Sequence, residues 1–172
     1  MQYRYKAQYV DAFHELKVLK SLGSIKTISM SEYRPPFLDK VEQWNKFNEF
    51  SGGTFVEKCC HYFDLINLLA DGQPRDVFAS GGQAVNFLNF AHGGRKSDID
   101  DHGFAIINYR NGIRANFTLN MFANEFYEEL VITGEKGRLV ASEKASADKK
   151  RQTKASIMVE VEGHQHYEGS QI

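Results

Sequence analysis

The second half of the chain consists of short alternating segments joined by turn signals, and this limits the available folds more than any other feature. "HGFAIINYR" and "IRANFTLNMF" flank Asn111-Gly112, a pair whose residues tolerate positive φ and so mark a β-hairpin. "YEELVITG" and "GRLVAS" flank Glu135-Lys136, with Gly134 and Gly137 at the edges, and predict a second hairpin. "RDVFASG" (75–81) is a strand ahead of both, followed by a polar, Gly-containing loop over 82–99. Residues 143–155, rich in Lys, Ala and Ser, read as a mobile linker, and "SIMVEVEG" alternates as a last clear strand.

The first half has a different period. Over 6–20, Tyr9, Phe13, Leu16 and Leu19 or Lys20 fall near one helical stripe, and Gly23 stands where a C-terminal cap belongs. "SIKTISMSEYR" alternates and is rich in β-branched residues, so it predicts a strand, ended by Arg34-Pro35-Pro36. A long loop around Trp44 leads to Gly53, and Thr54 to Leu69 predicts a second, largely buried helix, stopped by Asp71-Gly72 and Pro74. Helices early and antiparallel strands late give an α+β fold, with the helices packed on one face of an open sheet. At 172 residues the chain fits one domain, 1–172, with a real core.

Global composition excludes several classes. The net charge of −1 offers no basis for binding nucleic acid or an anionic membrane, and no apolar run reaches the ~20 residues of a bilayer span. The start, "MQYRYKAQYVD", lacks the apolar segment of a signal peptide. The only two cysteines, Cys59 and Cys60, are adjacent and cannot staple distant segments. The expected setting is therefore reducing and cytoplasmic.

Chemistry concentrates in "GGTFVEKCCHYFDLINLLADG". Glu57, His61 and Asp64 fall at i, i+4 and i+7, on one side of a continuous helix. A histidine with an ordinary pKa near ~6.5 suits proton transfer, Asp64 could fix its tautomer, and Glu57 could hold a substrate hydroxyl. The alternative is a polar stripe that satisfies itself. A metal reading is weaker: Cys60 lies ~100° around the helix from His61, and the chain holds neither HExxH nor CxxC. "SDIDDH" (97–102) reads as an acidic loop entering a strand, and the cysteines as small apolar packing groups.

"GGTFVEKCCHYFDLINLL" resembles the hallmark helix of the glucose–fructose oxidoreductase and inositol dehydrogenase (Gfo/Idh/MocA) family. That hallmark has a Gly-Gly start, an acid, His four residues on and Asp three beyond. "RYKAQYVDAFHELKVLKSLGSIKTISM", "NYRNGIRANFTLNMF" and "ELVITGEKGRLVAS" are similar to later family segments in the same order. The resemblance implies a substrate-binding and oligomerisation domain on a large, mostly antiparallel open sheet. His61 would be the catalytic acid/base and Glu57 the substrate anchor, and "W-N" at Trp44-Asn45 is similar to a family segment near the substrate. NAD or NADP would be the cofactor of the full-length enzyme and a polyhydroxy compound its substrate.

The chain departs from the family in lacking GxGxxG, a βαβ opening, Glu-Lys-Pro and a terminal helix, and in carrying Lys58 where small or apolar residues are common. The expectation is a C-terminal domain that binds no cofactor and no metal by itself and does not transfer hydride alone. Its nucleotide-binding domain would be a missing partner. A homo-oligomer is expected through the outer sheet face, with Phe104, Ile106, Phe117 and Leu119 on one face or the other. A non-catalytic binding or oligomerisation module is the alternative function.

Overall fold

The computed structural model describes residues 1–145, 151–161 and 164–171. An eight-stranded sheet runs in the order β10-β9-β8-β7-β1-β6-β5-β2. Its strands are β1 (Ile25–Tyr33), β2 (Pro74–Gly82), β5 (His102–Tyr109), β6 (Arg114–Asn120), β7 (Phe126–Gly134), β8 (Gly137–Ala145), β9 (Arg151–Val161) and β10 (His164–Gln171). A two-stranded ribbon, β3 (Ala91–His92) and β4 (Arg95–Lys96), stands apart from it. Among the described residues only the β1–β6 pair is parallel. The fold is the α+β arrangement that the sequence predicts.

One face of the sheet carries the core. Ile28 and Met30, Ala105 and Ile107, Ala115, Phe117 and Leu119, Leu130 and Ile132, and Leu139 and Ala141 alternate inward as a pleated strand requires. They meet Tyr9, Ala12 and Leu16 from the N-terminal helix, and Tyr62, Leu65, Ile66 and Leu69 from the later one. Phe117 and Leu119 therefore lie under the helices, and Phe104 and Ile106 point to the open face.

The N-terminal helix is composite. A 3-10 turn (Gln2–Tyr5) leads into α1 (Ala7–His14), which widens into a π-helical turn (Glu15–Leu19). It ends at Lys20, which takes the left-handed conformation (φ 54) expected of Gly23; Gly23 (φ 66) shapes the turn beyond. The loop after β1 is ordered, with a 3-10 turn (Val41–Lys46) in which Glu42 and Gln43 have φ of 52 and 55, and a short α2 (Asn48–Ser51).

Three further expectations are revised. The Asn111-Gly112 hairpin has a three-residue loop: Tyr109 N donates to Ile113 O at 3.0 Å, and Gly112 (φ 91) provides the left-handed position. Asn111 Nδ2 donates instead to Ala70 O at 2.9 Å, pinning the hairpin to the helix end. The linker over 143–155 is largely strand: 143–145 end β8 and 151–155 begin β9 in register, while 146–150 lie outside the described residues. β10 follows "SIMVEVEG" without an apolar pattern of its own, and is ordered by pairing with β9.

Candidate active site

Glu57 and His61 do not lie on one continuous helix. The segment is split into α3 (Thr54–Glu57) and α4 (Cys60–Ala70). Thr54 O accepts from both Lys58 N (3.0 Å) and Cys59 N (3.2 Å), so the turn widens between the two pieces. The segment starts at Gly52 and Gly53, with φ of 73 and 87; a Cβ on Gly53 would meet Asn48 Oδ1 at 2.8 Å.

The acidic tract places α2 and α3 against the sheet. Asn48 N donates to Asp98 Oδ1 (2.8 Å), Asn48 Nδ2 to Asp98 O (2.7 Å) and Thr54 Oγ1 to Asp100 O (2.5 Å). Asp101, buried, accepts the amides of Ala84 (3.0 Å), Val85 (2.7 Å) and Asn86 (2.7 Å) and faces His102 Nδ1 at 2.9 Å. Burial opposes its charge, yet these bonds outweigh it and hold its pKa below the ordinary value. "SDIDDH" thus organises the loop over the sheet edge.

At the break, Glu57 Oε2 and His61 Nδ1 are both buried with no hydrogen-bond partner among the described residues. Tyr3 stacks on the His61 ring, with centroids 4.6 Å apart and planes 17° apart. Burial first, then Lys58, lower the His61 pKa, against the opposing pull of Glu57 and Asp64. The imidazole is therefore neutral at pH 7. Asp64 does not fix its tautomer: both carboxylate oxygens go to Arg4, from Nε at 2.7 Å and Nη2 at 2.5 Å.

Trp44 and Asn45 occupy the 3-10 turn before α2. Asn45 is buried, with Nδ2 donating to Leu38 O at 3.0 Å and Oδ1 unpartnered; Trp44 is half-buried. Among the described residues no hydrogen bond or ring contact joins either to Glu57 or His61. Cys59 is buried and its thiol is pushed well up by burial. Cys60 Sγ points to Glu57 O at 3.6 Å.

Sequence reasoning missed the charged layer beside the site. Glu32, Glu128 and Glu143 are aligned in register across β1, β7 and β8, all buried on the core face. Lys6 pairs with Glu128 and, at 3.0 Å, with Glu143. Gln8 Nε2 donates to Glu128 (3.0 Å) and Glu143 (3.1 Å), and Tyr62 Oη to Glu128 at 2.9 Å. The available signal was parity: each glutamate continues the inward apolar series of its strand, as Ile28, Met30, Glu32 illustrates.

Residues 18–171 match the family described as "Oxidoreductase family, C-terminal alpha/beta domain". The Bacillus subtilis (strain 168) protein YteT, named as an oxidoreductase, is 32% identical over 68 residues, covering 38% of this chain and 15% of YteT. Levoglucosan dehydrogenase in complex with NADH superposes with a TM-score of 0.75 at 14% identity, over 99% of this chain and 45% of that one. The WlbA dehydrogenase from Bordetella pertussis, in complex with NADH and UDP-GlcNAcA, gives 0.60 at 20% identity, over 81% and 40%. The chain spans less than half the length of each of these relatives.

Proposed function

Because the chain belongs to the Gfo/Idh/MocA oxidoreductase family as its C-terminal alpha/beta domain, we propose that it is the substrate-binding half of a NAD(P)-dependent oxidoreductase acting on a sugar, a cyclitol or a related hydroxy compound. The observation that carries this reading is the unpartnered pair, Glu57 Oε2 and His61 Nδ1, at the break between α3 and α4. Leaving such groups dry costs about 1–3 kcal/mol each, which hydroxyls of a bound polyol would recover. Glu57 accepts a hydrogen bond from one substrate hydroxyl and orients the molecule. His61, neutral at pH 7, takes the proton of the hydroxyl being oxidised, or returns it in the reverse direction. Trp44 and Asn45 belong to the same reading as substrate contacts supplied by the loop before α2.

The residues described do not fit a dinucleotide. Gly52-Gly53 opens α3 after a helix, Gly81-Gly82 ends β2, and Gly93-Gly94 forms the turn of the β3–β4 ribbon; none joins a strand to a helix N-terminus. NAD or NADP therefore enters as the co-reactant of a longer protein, held by a nucleotide-binding domain. A cytoplasmic setting accords with two free neighbouring cysteines. No helix among the described residues is long and apolar enough to cross a membrane.

An assembly role is supported by the open face. Phe78 and Ile106 are partners across β2 and β5, Phe104 is two residues along, and all three are exposed. They form an apolar patch suited to a second copy of the chain. The catalytic test joins the chain to the nucleotide-binding domain of a relative and follows nicotinamide absorbance with a panel of polyols and sugars. His61→Ala lowers turnover by about 100-fold or more; an unchanged rate would refute the assignment.

A further inference from the structure

The widened turn that presents His61 also presents a lysine held by two other elements. Lys58 Nζ donates to the Tyr3 hydroxyl at 2.7 Å and lies 3.2 Å from Glu32 Oε1, with its side chain 12% exposed. Glu32 is fully buried on β1, and neither of its oxygens has a hydrogen-bond partner among the described residues. Lys58 is its near countercharge, and Arg34 stands further off at 3.8 Å. Tyr3 in turn lies flat on His61. A continuous path therefore runs from the sheet through Lys58 and Tyr3 to the imidazole.

We propose that Lys58 is a positioning residue for His61: anchored by Glu32, its ammonium fixes the Tyr3 hydroxyl, and the Tyr3 ring fixes the plane of the imidazole. This deepens the reading of His61 as the proton carrier and rests on it. Lys58 touches neither substrate nor the reacting atoms in this scheme; it acts through Tyr3 and through its charge.

The charge has a direction. His61 is faced by Lys58, Glu57 and Asp64 from its own segment, and by Tyr3 from the N-terminal turn. Arg4 is engaged on Asp64, and Lys6 lies over the Tyr3 ring at 4.4 Å. Burial works against the Lys58 ammonium, but Glu32 and Tyr3 outweigh it and raise its pKa, so the cation persists through neutral pH. A fixed cation beside His61 disfavours imidazolium and preserves the base form.

The test is an NMR pH titration of the His61 ring in the full chain, with its signal among the six histidines assigned by its loss in His61→Gln. Lys58→Met, of similar length and no charge, raises the His61 pKa by about half a unit or more. Lys58→Arg keeps the cation and leaves the value within about 0.2 unit of the parent. Tyr3→Ala, in the N-terminal turn, uncovers the ring and removes the link between Lys58 and His61, and also raises the pKa. An unmoved pKa in folded Lys58→Met overturns the proposal. If Lys58→Met does not fold, an unmoved pKa in Tyr3→Ala overturns it. The titration needs neither cofactor nor substrate. A joined enzyme that failed to turn over would thus refute the oxidoreductase reading while leaving this result standing.

Discussion

Replacing Lys6 by methionine isolates the energetics of the buried charge layer. Lys6 is 17% exposed and bridges two carboxylates that are 0% and 4% exposed. In Lys6→Met, Glu128 keeps Gln8 and Tyr62 as donors but loses its ion-pair partner. Breaking a buried pair by removing one member costs about 3–5 kcal/mol, because the remaining charge stays desolvated. The exposed pair Lys26–Glu135, at 2.8 Å with side chains 56% and 52% exposed, provides the control, because water screens both charges. With a urea dependence of about 2 kcal/mol per molar, Lys6→Met lowers the unfolding midpoint by about 1.5–2.5 M, and Lys26→Met by less than about 0.5 M. Adding Glu128→Gln to Lys6→Met recovers part of the loss, since one of the two carboxylates that Lys6 bridged is then uncharged. Equal midpoints for the two lysine variants would refute the reasoning, because the layer would then behave as solvated surface charge.

Other outcomes follow from the same geometry. Asp101→Asn presents an amide donor to backbone amides and lowers stability at pH 7 by about 1–3 kcal/mol. The Asp101 pKa is lower folded than unfolded, so its contribution is complete above about pH 4 and is lost as pH falls through the folded value. Thermal melts of parent and variant should therefore converge as pH falls through the folded value. Gly103→Ala brings a Cβ to 2.6 Å from Phe55 Cζ and 2.7 Å from Ser80 O; it costs about 1–3 kcal/mol in urea unfolding and displaces α3. Phe104→Lys on the open face shifts sedimentation velocity toward a smaller species without lowering the melting temperature; an unchanged profile argues against assembly through that patch.

Legibility followed local pattern and failed where long-range contacts decide. The strands β2, β5, β6, β7 and β8 were readable because alternation and turn chemistry are local, and the Glu135-Lys136 turn falls between Gly134 and Gly137 as read. The break at Lys58–Cys59 was not, since the periodicity of 54–69 continues across it and only the doubled acceptance by Thr54 O reveals it. Asp64 shows the same limit: spacing puts it near His61, but its partner, Arg4, is 60 residues away. β10 has no period-2 apolar signal, and a partner strand is what orders it.

The sheet's middle strand comes from the beginning of the chain. β1 lies between β6 and β7, so residues 25–33 complete their ladders only with residues 114–134. During synthesis this segment must wait until residues 114–134 have been made, its two edges unsatisfied. Closing so large a loop is slow relative to forming the hairpins that follow. The β5–β6 and β7–β8 ribbons would then be preformed banks, and insertion of β1 the event that joins them into one sheet.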